Sequence, residues 1–331
     1  MKRKIIKQGH NTLTITLPSK WATTNNLNAG DEIELKEEER NLIVTATSGQ
    51  YKTSKIEIDI TGLSTPLLWR YISSAYRDGY DEIHVKWKET YKGYRDLYTA
   101  FSYNTLNSLL NQDSFELTQI EAIQALCNRF VGAELIDQKM NSCTIKELVE
   151  PSNREFQNSL RRIFLLLLSM SSEIEEAIKS KSIAKERLRG IHMIDTNLDR
   201  FEDFCLRVLN KHGYENPGKK STMHTLIFIL ELLGDEYKRM SIHLLETDNI
   251  SDEIKNYVGL INEQMRFFYE LFYSFSKEKL IKIYSNDEKL AKIAETFRKD
   301  MSHSDAEILH HLKKIGRFII SLIELKIDLV V

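Results

Sequence analysis

Carboxylates recur at helical spacing in two places, Asp195 with Asp199 and Glu231 with Asp235. Residues four apart share one face of a helix, and like charges there cost about 0.2–0.5 kcal/mol. Asp is also a poor helix former. A divalent cation bridging two such helices would offset both costs, and an oxygen-rich set suits a hard ion such as Mg²⁺, Ca²⁺ or Mn²⁺. Asp195, Asp199, Glu231 and Asp235 are therefore the candidate metal ligands, with Glu202 and Asp203 extending the acidic face. Gly234, beside Asp235, would let a neighbouring helix come close. The plainer alternative is an acidic surface salt-bridged to Arg200, Lys238 or Arg239.

A second constellation is basic. Residues 1–20 hold Lys2, Arg3, Lys4, Lys7 and Lys20 and no acid, whereas residues 31–39 hold Asp31, Glu32, Glu34, Glu37, Glu38 and Glu39 against one Lys. A short module with one basic and one acidic side can orient in the field of a nucleic acid. Affinity for DNA rests largely on cations that neutralise phosphates, and Asn can read an adenine edge. Arg3, Lys4, Lys7 and Lys20 are the candidate phosphate contacts, with His10, Asn11 and Thr12 at a turn able to reach bases. The plainer alternative is a solvated module with basic edges. Further on, His303, Glu307 and His311 make an i, i+4, i+8 stripe that could bind Zn²⁺, or could simply face solvent.

Catalytic signatures are missing from the sequence. It contains no GxxxxGK or GxGxxG loop, no GxSxG elbow and no HExxH. Cys127, Cys143 and Cys205 are far apart with no CxxC spacing, which argues against a disulfide framework and fits a reducing cytoplasm. No catalytic residue is assigned, and no enzymatic activity is expected. The densest apolar run, Ile163–Met170, is far shorter than the ~20 residues of a membrane span, so no membrane insertion is expected.

The elements that must position these groups follow from periodicity. The chain has 331 residues, 42% apolar and 28% charged, with 4 Pro and 13 Gly, which favours a multi-domain and mainly helical protein. Residues 3–46 read as β: Ile5 and Ile6 open a strand, Gly9-His10-Asn11 turns, and Leu13, Ile15 and Leu17 alternate with Thr12, Thr14 and Thr16 until Pro18. Ser19 then caps a short helix through Trp21 to Asn25, and strands follow at Ile33–Leu35 and Leu42–Val44. So few residues bury little core, and with no cysteine or metal staple a homodimer is the physical expectation. Residues 51–150 read as α/β, with helices at Thr65–Arg77, roughly Tyr91–Leu110 and Thr118–Phe130, and strands at Glu82–Trp87, Glu134–Gln138 and Cys143–Lys146. From about Pro151 six amphipathic segments run to the end: one capped by Ser152 with Glu155, then roughly 183–212, 219–247, 251–276, 284–300 and 303–329. The third and sixth share Leu-x-x-(Leu/Ile)-Gly, at Leu230–Gly234 and Leu312–Gly316, splitting the helices into two sets of three.

Two stretches resemble known families. Arg3 to Leu35, with Leu13-Thr14-Ile15-Thr16-Leu17-Pro18, Lys20-Trp21 and Leu27-Asn28-Ala29-Gly30-Asp31, resembles a SpoVT/AbrB-type swapped-hairpin domain. That resemblance implies two chains interleaved into one barrel whose basic residues face double-stranded DNA. The region from about residue 152, through Asp195-x-x-x-Asp199, Glu231-x-x-x-Asp235 and Leu312–Glu324, resembles PhoU, a phosphate-uptake regulator built of two three-helix bundles. Archaeal proteins join these modules in this order. The family's second acidic pair would fall on Lys313 and Arg317, whose charges would repel a metal.

The expected architecture is thus a small swapped-hairpin β-barrel at 1–48, an α/β segment at 49–150 and a PhoU-like pair of three-helix bundles at 151–331. The expected function is a cytoplasmic, homodimeric, DNA-binding transcriptional regulator of phosphate uptake, with a divalent metal ion as the implied cofactor. The alternative is an adaptor that docks on a phosphate transporter or sensor kinase without binding DNA.

Overall fold

The computed structural model describes residues 2–38, 41–46, 53–88, 92–95, 116–150, 152–179, 183–297 and 301–331. The chain divides into two units, Met1–Ser54 and Lys55–Val331.

The first unit contains two antiparallel ladders and one short helix. Strand β1 (Ile6–Gln8) pairs with β2 (Thr12–Thr14) in the register Ile6↔Thr14, Lys7↔Leu13 and Gln8↔Thr12. The turn between them needs a positive φ, which Gly9 supplies at 74°. Helix α1 (Ser19–Thr24) follows, with Pro18 rather than Ser19 at its N-cap, so Ser19 is the first helical residue. Strands β3 (Ile33–Glu38) and β4 (Asn41–Ala46) pair from Ile33↔Ala46 to Glu38↔Asn41. The alternation at 12–17 predicts a longer second strand than is found, because three-residue β1 gives positions 15–17 nothing to pair with. Among the described residues of this unit none is buried. Several of its apolar side chains stand in solvent, with Ile5 66% and Leu13 68% exposed and Ile6, Ile15, Leu35, Leu42 and Ile43 also open, while Leu17, Trp21, Leu27 and Ile33 are half-buried.

The second unit begins with an α/β segment. Strand β5 (Lys55–Asp59) runs parallel to β6 (Glu82–Lys86), joined through α2 (Thr65–Asp78). Strands β7 (Lys92–Arg95) and β8 (Glu116–Thr118) form a separate antiparallel pair. Helix α3 (Gln119–Cys127) carries a complete capping box between Thr118 and Glu121. The hairpin of β9 (Ala133–Lys139) and β10 (Ser142–Glu147) completes a sheet of order β5-β6-β10-β9. The helix expected at Tyr91–Leu110 is corrected in part: Lys92–Arg95 is extended because it pairs with Glu116–Thr118, and the remainder lies outside the described residues.

Six helices follow: α4 (Asn153–Lys179), α5 (Lys185–His212), α6 (Lys220–Glu246), α7 (Asp252–Tyr273), α8 (Lys277–Thr296) and α9 (His303–Val330). Helix α8 starts earlier than its periodicity suggests, because Ser276 accepts a hydrogen bond from the Lys279 N–H and opens it. Helix α4 packs on α5 and α6, α7 packs on α8 and α9, and α6 lies along α9. Buried residues of all six share one apolar cluster, including Ile163, Phe164, Leu167 and Met170 from the densest run. The repeated glycines lie where helices approach. A Cβ on Gly234 would come within 2.8 Å of Leu198 Cδ1 on α5, and one on Gly316 within 3.2 Å of Ile261 Cδ1 on α7.

The α/β segment has its own core, containing Ile60, Leu68, Ile72, Ile83, Val85, Ile123 and Leu126. Polar contacts join it to α5. Arg207, 1% exposed, donates to the Tyr76 carbonyl at 2.6 Å, the Tyr80 carbonyl at 2.9 Å and Glu147 Oε1 at 2.8 Å. Asn210 donates to the Arg77 carbonyl at 3.0 Å, and Lys211 is ion-paired with Asp81 and Glu147. The last carbonyls of a helix lack intrahelical donors and carry partial negative charge. A cationic side chain and an amide of α5 therefore complete the C-terminus of α2. Gly79 caps that end at φ 94°, and a Cβ there would also press on Lys211 at 3.1 Å. Removing one partner of a buried ion pair typically costs about 3–5 kcal/mol. Arg207→Met is expected to destabilise the full chain by that order, measured by urea denaturation. A midpoint unchanged from the parent would refute the structural role of this contact.

Candidate functional site

The predicted basic residues lie together in the first unit. Arg3 and Lys4 precede β1, Lys7 is within it opposite Leu13, His10 and Asn11 form the turn, and Thr12 opens β2 across from Gln8. Lys20 lies on α1. All seven are exposed, and among the described residues Arg3, Lys4, Lys7 and Lys20 have no acidic partner. Their charge is thus available to an external anion. One turn lets His10 and Asn11 project from the same end of a ladder whose Lys7 and Thr12 flank it.

The predicted carboxylates also meet, on α5 and α6. Their surroundings differ from an empty ligand set. Lys238 Nζ lies 2.6 Å from Asp195 Oδ2 and 2.6 Å from Asp235 Oδ1. Arg239 reaches Asp235 at 3.0 Å. From the α/β segment, Arg129 pairs with Asp199 at 2.8 Å and Arg77 with Asp203 at 2.9 Å, with Glu202 at 4.0 Å. The Arg129 guanidinium also lies 3.9 Å over the Trp69 ring. Lys238 thus occupies the bridging position that charge spacing assigned to a metal ion. Among the described residues no three His, Cys, Asp or Glu side chains are arranged to hold one. Lys238 and Arg239 were visible in sequence as neighbours of the acids. Arg77 and Arg129 were not, because about seventy or more residues separate them from their partners and no local pattern links them.

The cluster remains electrostatically unbalanced. Burial and the neighbouring Asp199 carboxylate push Asp195 up to about 7. Burial, then Asp235, Asp199 and Asp195, push Glu231 up to about 8. Burial and Asp203 also raise Glu202 well above its ordinary range. Burial opposes the charge on Lys238, but Asp195, Asp235 and Asp199 outweigh it and hold the ammonium protonated. Asp195 Oδ1 is buried with no hydrogen-bond partner. All three cysteines are buried, and burial pushes Cys127 and Cys143 up to about 12, so neither presents a thiolate at neutral pH.

A carboxyl raised in the folded state ionises first in the unfolded chain. Between the two values the folded protein holds more protons, so stability falls as pH rises through that window and levels off above the folded value. For Glu231 the window runs from about 4.5 to about 8. Glu231→Gln is expected to flatten the pH dependence across it and to stabilise the chain at pH 8 by on the order of 2 kcal/mol. Urea midpoints of parent and variant at several pH values check this, and parallel profiles would show that Glu231 is not destabilised by its surroundings.

Among the described residues no helix is long and apolar enough to cross a membrane. No curated protein and no solved structure matches the chain. Residues 6–51 match the model of a family described as "Antidote-toxin recognition MazE, bacterial antitoxin". The paired hairpins and short helix of the first unit therefore form a MazE/AbrB-type domain at the N-terminal end of a mainly helical chain.

Proposed function

We propose that this protein is a homodimeric, DNA-binding transcriptional regulator whose second unit is a sensor or docking domain, with phosphate uptake as the process it controls. The observation that carries the DNA-binding part is the MazE/AbrB-type domain at residues 6–51, bearing Arg3, Lys4, Lys7, His10, Asn11, Thr12 and Lys20 on exposed positions in and beside it. Domains of this type bind DNA and form dimers. Dimerisation is further supported by the open apolar side chains of the module. Burying a Leu or Ile is worth roughly 1.5–3 kcal/mol, so a second copy covering Ile6, Leu13, Ile15 and Leu35 would contribute several kcal/mol. A two-fold dimer doubles the basic residues and favours palindromic sites.

The phosphate assignment rests on the resemblance of the helical region to PhoU. In that reading the α5–α6 carboxylates are the effector site, and a divalent ion would compete there with Lys238. The chain is assigned no catalytic step and acts in the cytoplasm, where its DNA is. The family description favours a second reading, in which the N-terminal domain recognises a toxin protein. An adaptor role on a transporter or kinase would likewise leave duplex DNA unbound.

The test is a salt titration of the full-length protein on mixed genomic duplex fragments, with sequencing of what is retained. Each phosphate contact contributes about 0.9 to the log–log salt slope. Lys4→Ala combined with Lys7→Ala removes two contacts per protomer and is expected to lower the slope by roughly 3 to 4 in the dimer. Enrichment upstream of phosphate-transport genes supports the regulatory assignment. Absence of binding at about 50 mM salt overturns it in favour of a protein partner.

A further inference from the structure

A pair of histidines on α6 and α9 takes no part in the function proposed above. The ring centres of His243 and His311 are 5.1 Å apart, with planes inclined by 34°. His311 is 6% exposed, and its Nδ1 lies 2.7 Å from Glu236 Oε2. The other oxygen of Glu236 receives Arg239 at 2.9 Å and Lys314 at 3.5 Å. An ionised carboxylate at Nδ1 accepts the proton there and leaves the ring's lone pair on Nε2. That atom, His311 Nε2, is buried and has no hydrogen-bond partner.

A histidine held by a carboxylate through one nitrogen, with the other nitrogen bare, is the arrangement by which proteins orient a metal-binding imidazole. We propose that His311, through Nε2, and His243 bind a borderline transition-metal ion of the zinc class, with Glu236 as the residue that positions His311. The spacing suits this: with metal–nitrogen bonds of about 2.0–2.1 Å, two imidazoles on one tetrahedral ion place their centres about 5 Å apart. Neutral imidazole donors select Zn²⁺, Ni²⁺ or Cu²⁺ over Mg²⁺ and Ca²⁺. Among the described residues no third ligand completes the set, so water fills the remaining positions and binding is reversible. The stripe visible in sequence does not hold together: His303 is exposed, while His311 turns inward to α6. The site is separate from the Asp195–Lys238 cluster, so it stands or falls independently of the regulatory reading.

The experiment is calorimetric titration of untagged, chelator-treated full-length protein with Zn²⁺ alone. One ion per chain is expected, with affinity in the micromolar range. His243→Gln, at a half-buried position that leaves the core intact, is expected to weaken binding at least tenfold, with an unchanged helical circular dichroism spectrum. Glu236→Gln is expected to weaken it about 10–100-fold, the usual effect of removing the carboxylate behind a metal-binding histidine. Asp195→Asn combined with Asp199→Asn is expected to leave it unchanged. No heat of binding, or affinity indifferent to His243→Gln, overturns the proposal. Loss of binding in the Asp195/Asp199 variant alone also overturns it and moves the ion to the carboxylate cluster.

Discussion

Arg207 joins two apolar cores that do not merge. The α/β segment and the helices bury separate sets of hydrophobic residues; Val131 packs against the helical set, and the rest of the contact described above is built from charge and backbone polarity. The exchange is reciprocal. Helix α5 sends Arg207 and Lys211 to Glu147, Asp81 and the end of α2, and the α/β segment returns Arg77 and Arg129 to the acids of α5. Desolvating so many charges is costly, and each pair compensates only while its geometry holds. An interface of this kind is selective in orientation: a slipped register would leave buried charges without partners, whereas an apolar contact would tolerate it.

The same interface explains the state of the acidic face. Asp195, Asp199, Glu202, Asp203, Glu231 and Asp235 outnumber the cations Lys238, Arg239, Arg77 and Arg129 that serve them. Burial first, and then this excess of neighbouring carboxylates, raises the proton affinity of Asp195, Glu202 and Glu231. Lys238, one turn further along α6, and two arginines from the α/β segment neutralise part of this face.

The N-terminal unit poses the opposite problem. Among its described residues the strands pair as β1–β2 and β3–β4, and Ile5, Ile6, Leu13, Ile15, Leu35, Leu42 and Ile43 remain exposed. Charge is also exposed, and it is segregated, with basic residues around the first hairpin and acids along Asp31–Glu37. A module that is apolar where it needs a partner and basic where it meets an anion is consistent with pairing through one surface and binding through another.

Much of this was readable in the residues. The 3.6-residue periodicity, the Ser152–Glu155 capping box and the glycines at 234 and 316 located the helices and two of their close approaches, because these are local properties of the chain. The hairpin around Gly9 followed from alternation and the need for a positive φ. The sequence by itself therefore determined the type of most elements, the extended Lys92–Arg95 excepted, together with the acidic face and the basic end. Tertiary structure decided what those faces meet. Arg77, Arg129 and Arg207 act on groups about sixty or more residues away, and His311 turns to Glu236 on another helix instead of toward its own i−4 neighbour. The physical reason is that a charge's partner is set by distance in space, and spacing along one helix constrains only the groups on that helix.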